Sequence, residues 1–186
     1  ILEDSAGPVR RLSRMPRNPR PPRRLTPGPP PTVPPALDDV DLALLRLLQA
    51  EARRPVAALA REVGLAESTC AGRLRALLER GIIRGFVADI DPAAVGHAVE
   101  AMISLRLTGH LRERVEAFRD DLAQVPGVIA IYNTSGGNDF LIHVATTSTD
   151  ALRDFVLDQV ASRDGVTHTE TSLLFEATRG VGPLPR

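Results

Sequence analysis

The spacing of apolar side chains divides the chain into a helical part and a strand-rich part. From residue 37 onward, apolar residues recur every three or four positions, which is the period of an amphipathic helix. The first apolar stripe, behind two candidate capping residues, Asp38 and Asp39, consists of Val40, Leu44, Leu47 and Leu48. Two further helical segments follow, so the pattern predicts a three-helix bundle of about fifty residues.

Turn-forming residues separate the three predicted helices. The second segment, "RPVAALAREVG", begins with Pro55, which suits a first helical turn, and stops at Gly64, which suits a left-handed C-cap. The third segment, "ESTCAGRLRALLERG", runs to Gly81. Its predicted inward face consists of Cys70, Leu74, Leu77 and Leu78. The last two helices and the turn between them have the spacing of a helix-turn-helix.

Beyond Gly81 the pattern changes from helical to mixed. The stretch "IIRGFVADI" is typical of a strand or a linking ribbon, and "EAMISLRL" alternates as a half-buried strand does. A helix with apolar residues at helical spacing follows, then strands at about 128–134 and 139–146, a second helix, and a strand at about 166–176. The order βαββαβ predicts a ferredoxin-like domain.

The predicted sheet needs a partner on one of its faces. Two helices can cover only one face of four strands, yet "VIAI", "FLIHVA" and "SLLF" carry apolar residues at both parities. The sequence therefore predicts a homodimer, and a higher homo-oligomer beyond it.

Proline sets the N-terminal segment apart from the rest. Eleven of the sixteen prolines fall in residues 1–36, which hold too few apolar side chains to form a core. Whether this segment contacts DNA through its arginines or is dispensable stays open.

The expected division of the chain is a disordered Pro/Arg-rich tail over 1–36, a helix-turn-helix domain over 37–84, a linking strand or loop over 85–98, a βαββαβ domain over 99–178, and a C-terminal tail over 179–186.

Composition excludes several classes of site. The chain contains no lysine, and its net charge of zero gives no overall basic footprint for nucleic acid. A single cysteine, Cys70, excludes an internal disulfide, and its spacing favours a small buried apolar side chain. His97, His110, His143 and His168 are scattered, so we expect no metal, no cofactor and no catalytic residue. No apolar run approaches the ~18 residues of a membrane helix, so we expect a cytoplasmic protein without membrane contact.

The third helix carries the candidate chemistry for DNA. A recognition helix needs short polar and basic side chains on its outer face, where they reach phosphates and base edges in the major groove. The candidates are Ser68, Thr69, Arg73 and Arg75. Periodicity alone is equally consistent with an ordinary α-bundle whose arginines are solvated.

The stretch from Leu37 to Phe86 resembles the N-terminal domain of the Lrp/AsnC (feast/famine) transcription regulators. The matching residues are Leu37, Asp38, Asp41, Val63, Gly64, Leu65, Cys70, Arg73, Gly81, Ile83 and Gly85. The resemblance extends to about residue 178 and implies an α+β protein with a (winged) helix-turn-helix domain followed by a ferredoxin-like βαββαβ (RAM) domain. It also implies that double-stranded DNA and an amino acid or related metabolite are the partners.

The chain departs from the family pattern at two positions. Ala66 stands where the family often has a capping serine, so Ser68 is an alternative cap of a shortened third helix. The turn "TSGGNDF" stands where the family commonly has Gly-Asp-aromatic-Asp. The resemblance implies that this turn lines the effector pocket, and the candidate contacts are Ser135, Gly136, Gly137, Asn138 and Asp139. The alternative is a plain hairpin turn in which Asp139 caps its own backbone.

Three functions are compatible with these features. The first is a sequence-specific transcriptional regulator that responds to an amino acid or a related small metabolite. The second is a low-specificity architectural DNA-binding protein, and the third is an enzyme resembling the siroheme decarboxylases, which have a similar two-domain architecture. The scattered histidines fit no catalytic motif, so we expect no enzymatic activity.

Overall fold

The computed structural model describes residues 37–109, 112–178, 180 and 182–184. The predicted tail over 1–36 lies outside these described residues, as do several positions of the C-terminal tail. The elements are α1 (Asp39–Ala50), α2 (Val56–Glu62), α3 (Glu67–Glu79), β1 (Val99–Leu107), α4 (Arg112–Leu122), β2 (Val128–Asn133), β3 (Phe140–Thr146), α5 (Thr149–Phe155) and β4 (Val166–Leu173). A π-helical turn, Val156–Ala161, continues α5. Three helices followed by βαββαβ confirm the predicted fold class.

Local signals set the start of α1 and both ends of α2. Asp38 is the N-cap of α1, and its carboxylate accepts a hydrogen bond from the Asp41 N–H at 2.8 Å. The helix α2 begins directly after Pro55. Its end is a turn in which Gly64 adopts a φ of +69°, and the Leu65 N–H bonds the Ala60 carbonyl at 2.9 Å. This closed turn sets the angle at which α3 leaves α2.

The helical domain has its own apolar core. Its buried members are Leu44, Leu48, Leu59, Ala60 and Cys70, surrounded by half-buried Val40, Leu47, Val56, Val63, Leu74 and Ile83. The prediction that Leu78 faces inward is wrong, because its side chain is 41% exposed. Since Leu77 is only 1% exposed, α3 buries one of these neighbouring leucines and presents the other to its surface.

The segment between α3 and β1 is a linking ribbon and not a strand. Residues 82–92 form no regular structure, and a single 3₁₀ turn, Ala93–Val95, precedes β1. Several of its apolar side chains are exposed, including Phe86 at 51% and Val87 at 81%. Of the two interpretations of "IIRGFVADI", the structure therefore supports the ribbon.

The four strands form one antiparallel sheet in the order β2-β3-β1-β4. On its inner face, Ala101, Ile103 and Leu105 of β1 stand opposite Val144, Ile142 and Phe140 of β3, and all six are fully buried. The helices α4 and α5 complete this core with Phe118, Leu122, Leu152 and Phe155. The alternation predicted for β1 is confirmed.

The outer face of the sheet is mixed in character. Met102 stands opposite His143, and Ser104 stands opposite Leu141. The His143 imidazole Nε2 lies 2.8 Å from Oε2 of Glu100, so this histidine has a partner within the sheet. Apolar and polar side chains thus alternate along this face.

The end of the described chain lies against the helical domain. A cavity of about 490 Å³ is lined by residues of α1, the linking ribbon and the C-terminal segment, including Leu45, Leu48, Ile83, Phe86, Pro183 and Leu184. A Cβ built on Gly182, whose φ is +90°, would lie 2.7 Å from the Gln49 side chain. Glycine at this position therefore permits the close approach of the segment to α1.

Candidate functional site

One face of α3 presents short polar and basic side chains. Ser68, Thr69, Gly72 and Arg75 are all exposed, whereas Cys70 and Leu77 of the same helix are buried. The helix begins at Glu67 with Ala66 as its N-cap, and Ala66 supplies no side-chain hydrogen bond. The alternative of a shortened helix capped by Ser68 is therefore wrong. Ser68 and Thr69 lie in the first turn.

Arg73 does not share that outward orientation. Its Nη1 atom lies 2.6 Å from Oδ2 of Asp38 and 2.8 Å from Oδ1 of Asp41, both at the start of α1. The Asp41 side chain is only 11% exposed, so the guanidinium neutralises a largely buried carboxylate. The expectation that Arg73 projects from the outer face of α3 is corrected: it connects α3 to α1, and Arg75 is the outward arginine.

Two donors shift the titration of the Asp38 carboxyl. The Asp41 N–H and, next, the Arg73 guanidinium donate hydrogen bonds to the ionised form, which lowers the pKa of Asp38 below its ordinary value of 3.8. In turn, the carboxylates of Asp38 and Asp41 accept hydrogen bonds from the Arg73 guanidinium and raise the pKa of Arg73. The ion pair therefore persists at neutral pH and weakens only in acid.

The lowered pKa of Asp38 makes the stability of the helical domain dependent on acid pH. The ionised carboxylate stabilises the fold above the unfolded pKa, and this contribution is lost as pH falls through 3.8 toward the lower folded value. Asp38→Asn keeps a capping oxygen but has no charge to titrate. We expect the wild type to lose more stability than this variant between about pH 5 and pH 2.5, measured by urea unfolding. Equal losses in the two proteins would contradict the role of the Asp38 charge.

Cys70 belongs to the core of the helical domain. Burial, followed by the nearby charge of Glu67, raises the pKa of the Cys70 thiol, so the thiol stays protonated at neutral pH.

Within the described ranges, no group of three or more His, Cys, Asp and Glu side chains has a geometry suited to a metal ion. Across the same part of the chain, no helix is both long and apolar enough to cross a membrane.

The turn "TSGGNDF" is a closed loop between β2 and β3. The Thr134 N–H bonds the Asp139 carbonyl at 2.9 Å, and the Thr134 hydroxyl bonds the Asn138 carbonyl at 2.7 Å. Gly136 adopts a φ of +126°, a conformation that side chains disfavour. Ser135, Gly136 and Gly137 are exposed at the tip of this loop. The backbone is thus held by its own bonds, with its glycines open to solvent.

Asp139 joins this loop to the end of β1. Its carboxylate Oδ2 accepts a hydrogen bond from the Leu107 N–H at 2.7 Å, and its own N–H donates to the Leu105 carbonyl at 2.9 Å. The Asp139 carboxylate therefore caps β1, a strand outside its own hairpin. Asp139 has a structural role in addition to any ligand it contacts.

The sequence did not predict the roles of two residues at these sites. Asp41, which matches the family pattern, neutralises Arg73, whereas the acidic start of α1 indicated only a helix cap. Arg106 lies beside the loop, since a Cβ built on Gly137 would lie 3.8 Å from its Nη2 atom. The alternation of β1 places Arg106 on the outer face of the sheet. It does not indicate that Arg106 lies near Gly137.

Comparisons with known proteins match both domains. A model of the AsnC-type helix-turn-helix domain matches residues 37–78, and a model of the Lrp/AsnC ligand binding domain matches residues 100–180. The HTH-type transcriptional regulator AldR of Mycolicibacterium smegmatis is 47% identical over 148 residues, covering 80% of this chain and 86% of the relative. AldR of Mycobacterium tuberculosis is 44% identical over 151 residues, covering 81% of this chain and 84% of the relative.

Solved structures agree with these matches. The crystal structure of MtbAldR superposes with a TM-score of 0.66 at 42% identity, covering 79% of this chain and all of that one. A transcriptional regulator from Neisseria meningitidis, solved as a complex with L-Met, superposes with a TM-score of 0.72 at 29% identity, covering 81% of this chain and 97% of that one. The relatives are transcriptional regulators and not enzymes, and the chain belongs to the Lrp/AsnC family of transcriptional regulators, with a helix-turn-helix DNA-binding domain and a ligand-binding domain.

Proposed function

We propose that this regulator binds specific duplex DNA through the exposed face of α3 and that an amino acid or a closely related metabolite controls this binding. The observation that carries the proposal is the division of α3 into two faces. Cys70 and Leu77 anchor one face in the core, and Ser68, Thr69 and Arg75 project from the other. A helix held in this way can enter the major groove without rearrangement of the domain.

Within this proposal the four candidate DNA residues have different roles. Ser68 and Thr69 donate hydrogen bonds to phosphates or base edges near the start of α3, and Arg75 reads a guanine or a phosphate. Arg73 acts mainly by positioning, because its guanidinium holds α3 against Asp38 and Asp41. Any direct contact between Arg73 and DNA would have to form beside this ion pair.

The proposed effector site is the loop of residues 134–139 on the C-terminal domain. The exposed N–H groups of Gly136 and Gly137 suit a carboxylate, and Ser135 and Asn138 offer neutral hydrogen bonds. Asp139 contributes negative charge that suits an α-ammonium group. The Neisseria relative was solved with L-Met, which supports an amino acid as the class of effector here.

Assembly is part of the same proposal. The outer face of the sheet exposes Tyr132 at 41%, and Leu141 and Met102 on the same face are half-buried. We assign this face to a homodimer, and we retain the division into a DNA-binding domain over 37–84, a linking segment over 85–98 and an effector domain over 99–178. A protein that acts on the chromosome in this way is expected in the cytoplasm, associated with the nucleoid.

A thermal-shift screen of the full chain tests the effector half of the proposal. The probes are the nineteen chiral common L-amino acids, glycine and their available 2-keto acid relatives, with the D-enantiomers of the chiral ones as controls. A ligand present at 100 times its Kd stabilises the folded state by about 2.7 kcal/mol, so a true effector raises the melting temperature clearly. Shifts with L-amino acids and none with the D-enantiomers are expected. The absence of any shift across the panel would contradict an amino-acid effector.

A further inference from the structure

Arg106 lies where β1 runs past the beginning of β3. The last pair between these strands is Leu105 with Phe140, so the following residues of β1 have the loop of residues 134–139 beside them. On the other side, the register of β1 with β4 shifts between Arg106 and Leu107. The Thr167 hydroxyl bonds the Arg106 carbonyl at 3.2 Å within this irregularity. Such bulges bend a strand locally and redirect its side chains.

The Arg106 side chain emerges on the outer face of the sheet, next to Gly137 of the loop. It is exposed, and a Cβ built on Gly137 would lie 3.8 Å from its Nη2 atom. In the described part of the chain, no carboxylate forms an ion pair with this guanidinium. The Asp139 carboxylate accepts the hydrogen bond of the Leu107 N–H. A positive group thus lies beside Gly137, one of two exposed glycines at the tip of the loop.

We propose that Arg106 binds the carboxylate group of the effector and thereby restricts the site to ligands that carry one. This inference rests on the proposed effector site at the loop of residues 134–139. A guanidinium forms two parallel hydrogen bonds with a carboxylate, and a neutral amide cannot replace the charge in that contact. The N–H groups of Gly136 and Gly137 supplement it, since without side chains they allow close approach.

The two charged residues divide the recognition of a zwitterion between them. Arg106 binds the carboxylate end, and Asp139, anchored on Leu107, faces the ammonium end. A 2-keto acid retains the group that Arg106 binds, whereas an amino-acid amide loses it. The specificity expected from Arg106 is therefore for α-carboxylates over their amides, whatever the side chain of the ligand.

The test compares the nineteen chiral L-amino acids and glycine with their α-carboxamides by isothermal titration of the full-length wild type and of Arg106→Gln. For each amino acid that binds the wild type, Arg106→Gln is expected to weaken binding tenfold or more, by about the strength of one charged hydrogen bond. In the wild type the carboxamide is expected to bind at least about tenfold more weakly than the acid, and in Arg106→Gln this difference is expected to shrink below about threefold.

Matched variants separate this role from a structural one. Arg153→Gln removes an exposed arginine from α5 in the same domain and is expected to leave binding unchanged. Arg106→Lys keeps the positive charge and is expected to retain more affinity than Arg106→Gln. Wild-type affinity in Arg106→Gln, or an undiminished preference for the acid over the amide, would overturn the role of Arg106 alone. Failure of the wild type to bind any amino acid would overturn the proposed effector class, and this inference with it.

Discussion

Arg75→Ala is expected to weaken binding to the protein's own promoter DNA by tenfold or more without lowering the melting temperature. Arg75 is exposed on α3, so its removal leaves the core intact. A bidentate contact between arginine and guanine contributes about 1–3 kcal/mol of discrimination. A mobility-shift titration with promoter DNA and with random duplex of equal length measures the effect on affinity and on specificity.

Arg73→Ala is compared with Arg75→Ala. Both arginines lie on α3, but Arg73 pairs with Asp38 and Asp41 of the helical domain. Its removal leaves Asp41, which is 11% exposed, without the guanidinium 2.8 Å away. We expect Arg73→Ala to have a lower melting temperature than the wild type, and Arg75→Ala to keep the wild-type melting temperature. Arg153→Ala, in the C-terminal domain, controls for the loss of one positive charge.

Two outcomes would contradict this assignment. Unchanged DNA affinity in Arg75→Ala would remove this residue from the DNA-binding face. Binding by the wild type that falls steeply with salt but hardly differs between promoter and random DNA would favour an architectural role, since phosphate contacts alone are insensitive to sequence.

Asp139→Ala is expected to destabilise the C-terminal domain and also to abolish effector binding. The Leu107 N–H loses its acceptor at 2.7 Å, and an unsatisfied donor in a partly buried position costs about 1–3 kcal/mol. Urea unfolding measures the stability, and calorimetric titration with any amino acid that the thermal-shift screen identifies measures the binding. A loss of binding in this variant alone would not distinguish a broken loop from a missing ligand contact.

Asp139→Asn separates these two effects. The asparagine side-chain oxygen can still accept from Leu107, so the loop is expected to keep its conformation and most of its stability. The variant lacks the negative charge that suits an α-ammonium group, so amino acids are expected to bind more weakly than 2-keto acids of the same side chain. Wild-type amino-acid affinity in Asp139→Asn would contradict the ammonium contact, and wild-type stability in Asp139→Ala would contradict the structural role.

Local features of the chain were predictable because their causes lie within a few residues. The cap at Asp38 follows from a side chain that accepts a hydrogen bond from the backbone three residues on, and the positive φ of Gly64 is permitted by the absence of a Cβ. The buried alternation of β1 follows from the two-residue period of a strand. The βαββαβ order follows from the same periodicities, whereas the resemblance to the family rests on matching residues such as Val63, Gly64 and Leu65.

What the sequence could not determine depends on contacts between distant residues. Arg73 was assigned to the outer face of α3 because periodicity alone does not resolve which carboxylates a long side chain reaches, and its partner Asp38 is 35 positions away. Asp139 was assigned to a ligand or to its own turn, whereas it bonds a strand 32 positions away. The proximity of Arg106 to Gly137 depends on how β1 extends past β3, which only the register of the sheet decides.

The sequence by itself thus determined the elements, their order and the surfaces on which DNA and effector are expected. Only the tertiary structure decided which charged side chains are neutralised by partners within the fold and which remain directed at solvent. The physical reason is that periodicity reports the face on which a residue lies, whereas an ion pair or a strand cap requires two distant segments to meet within about 3 Å.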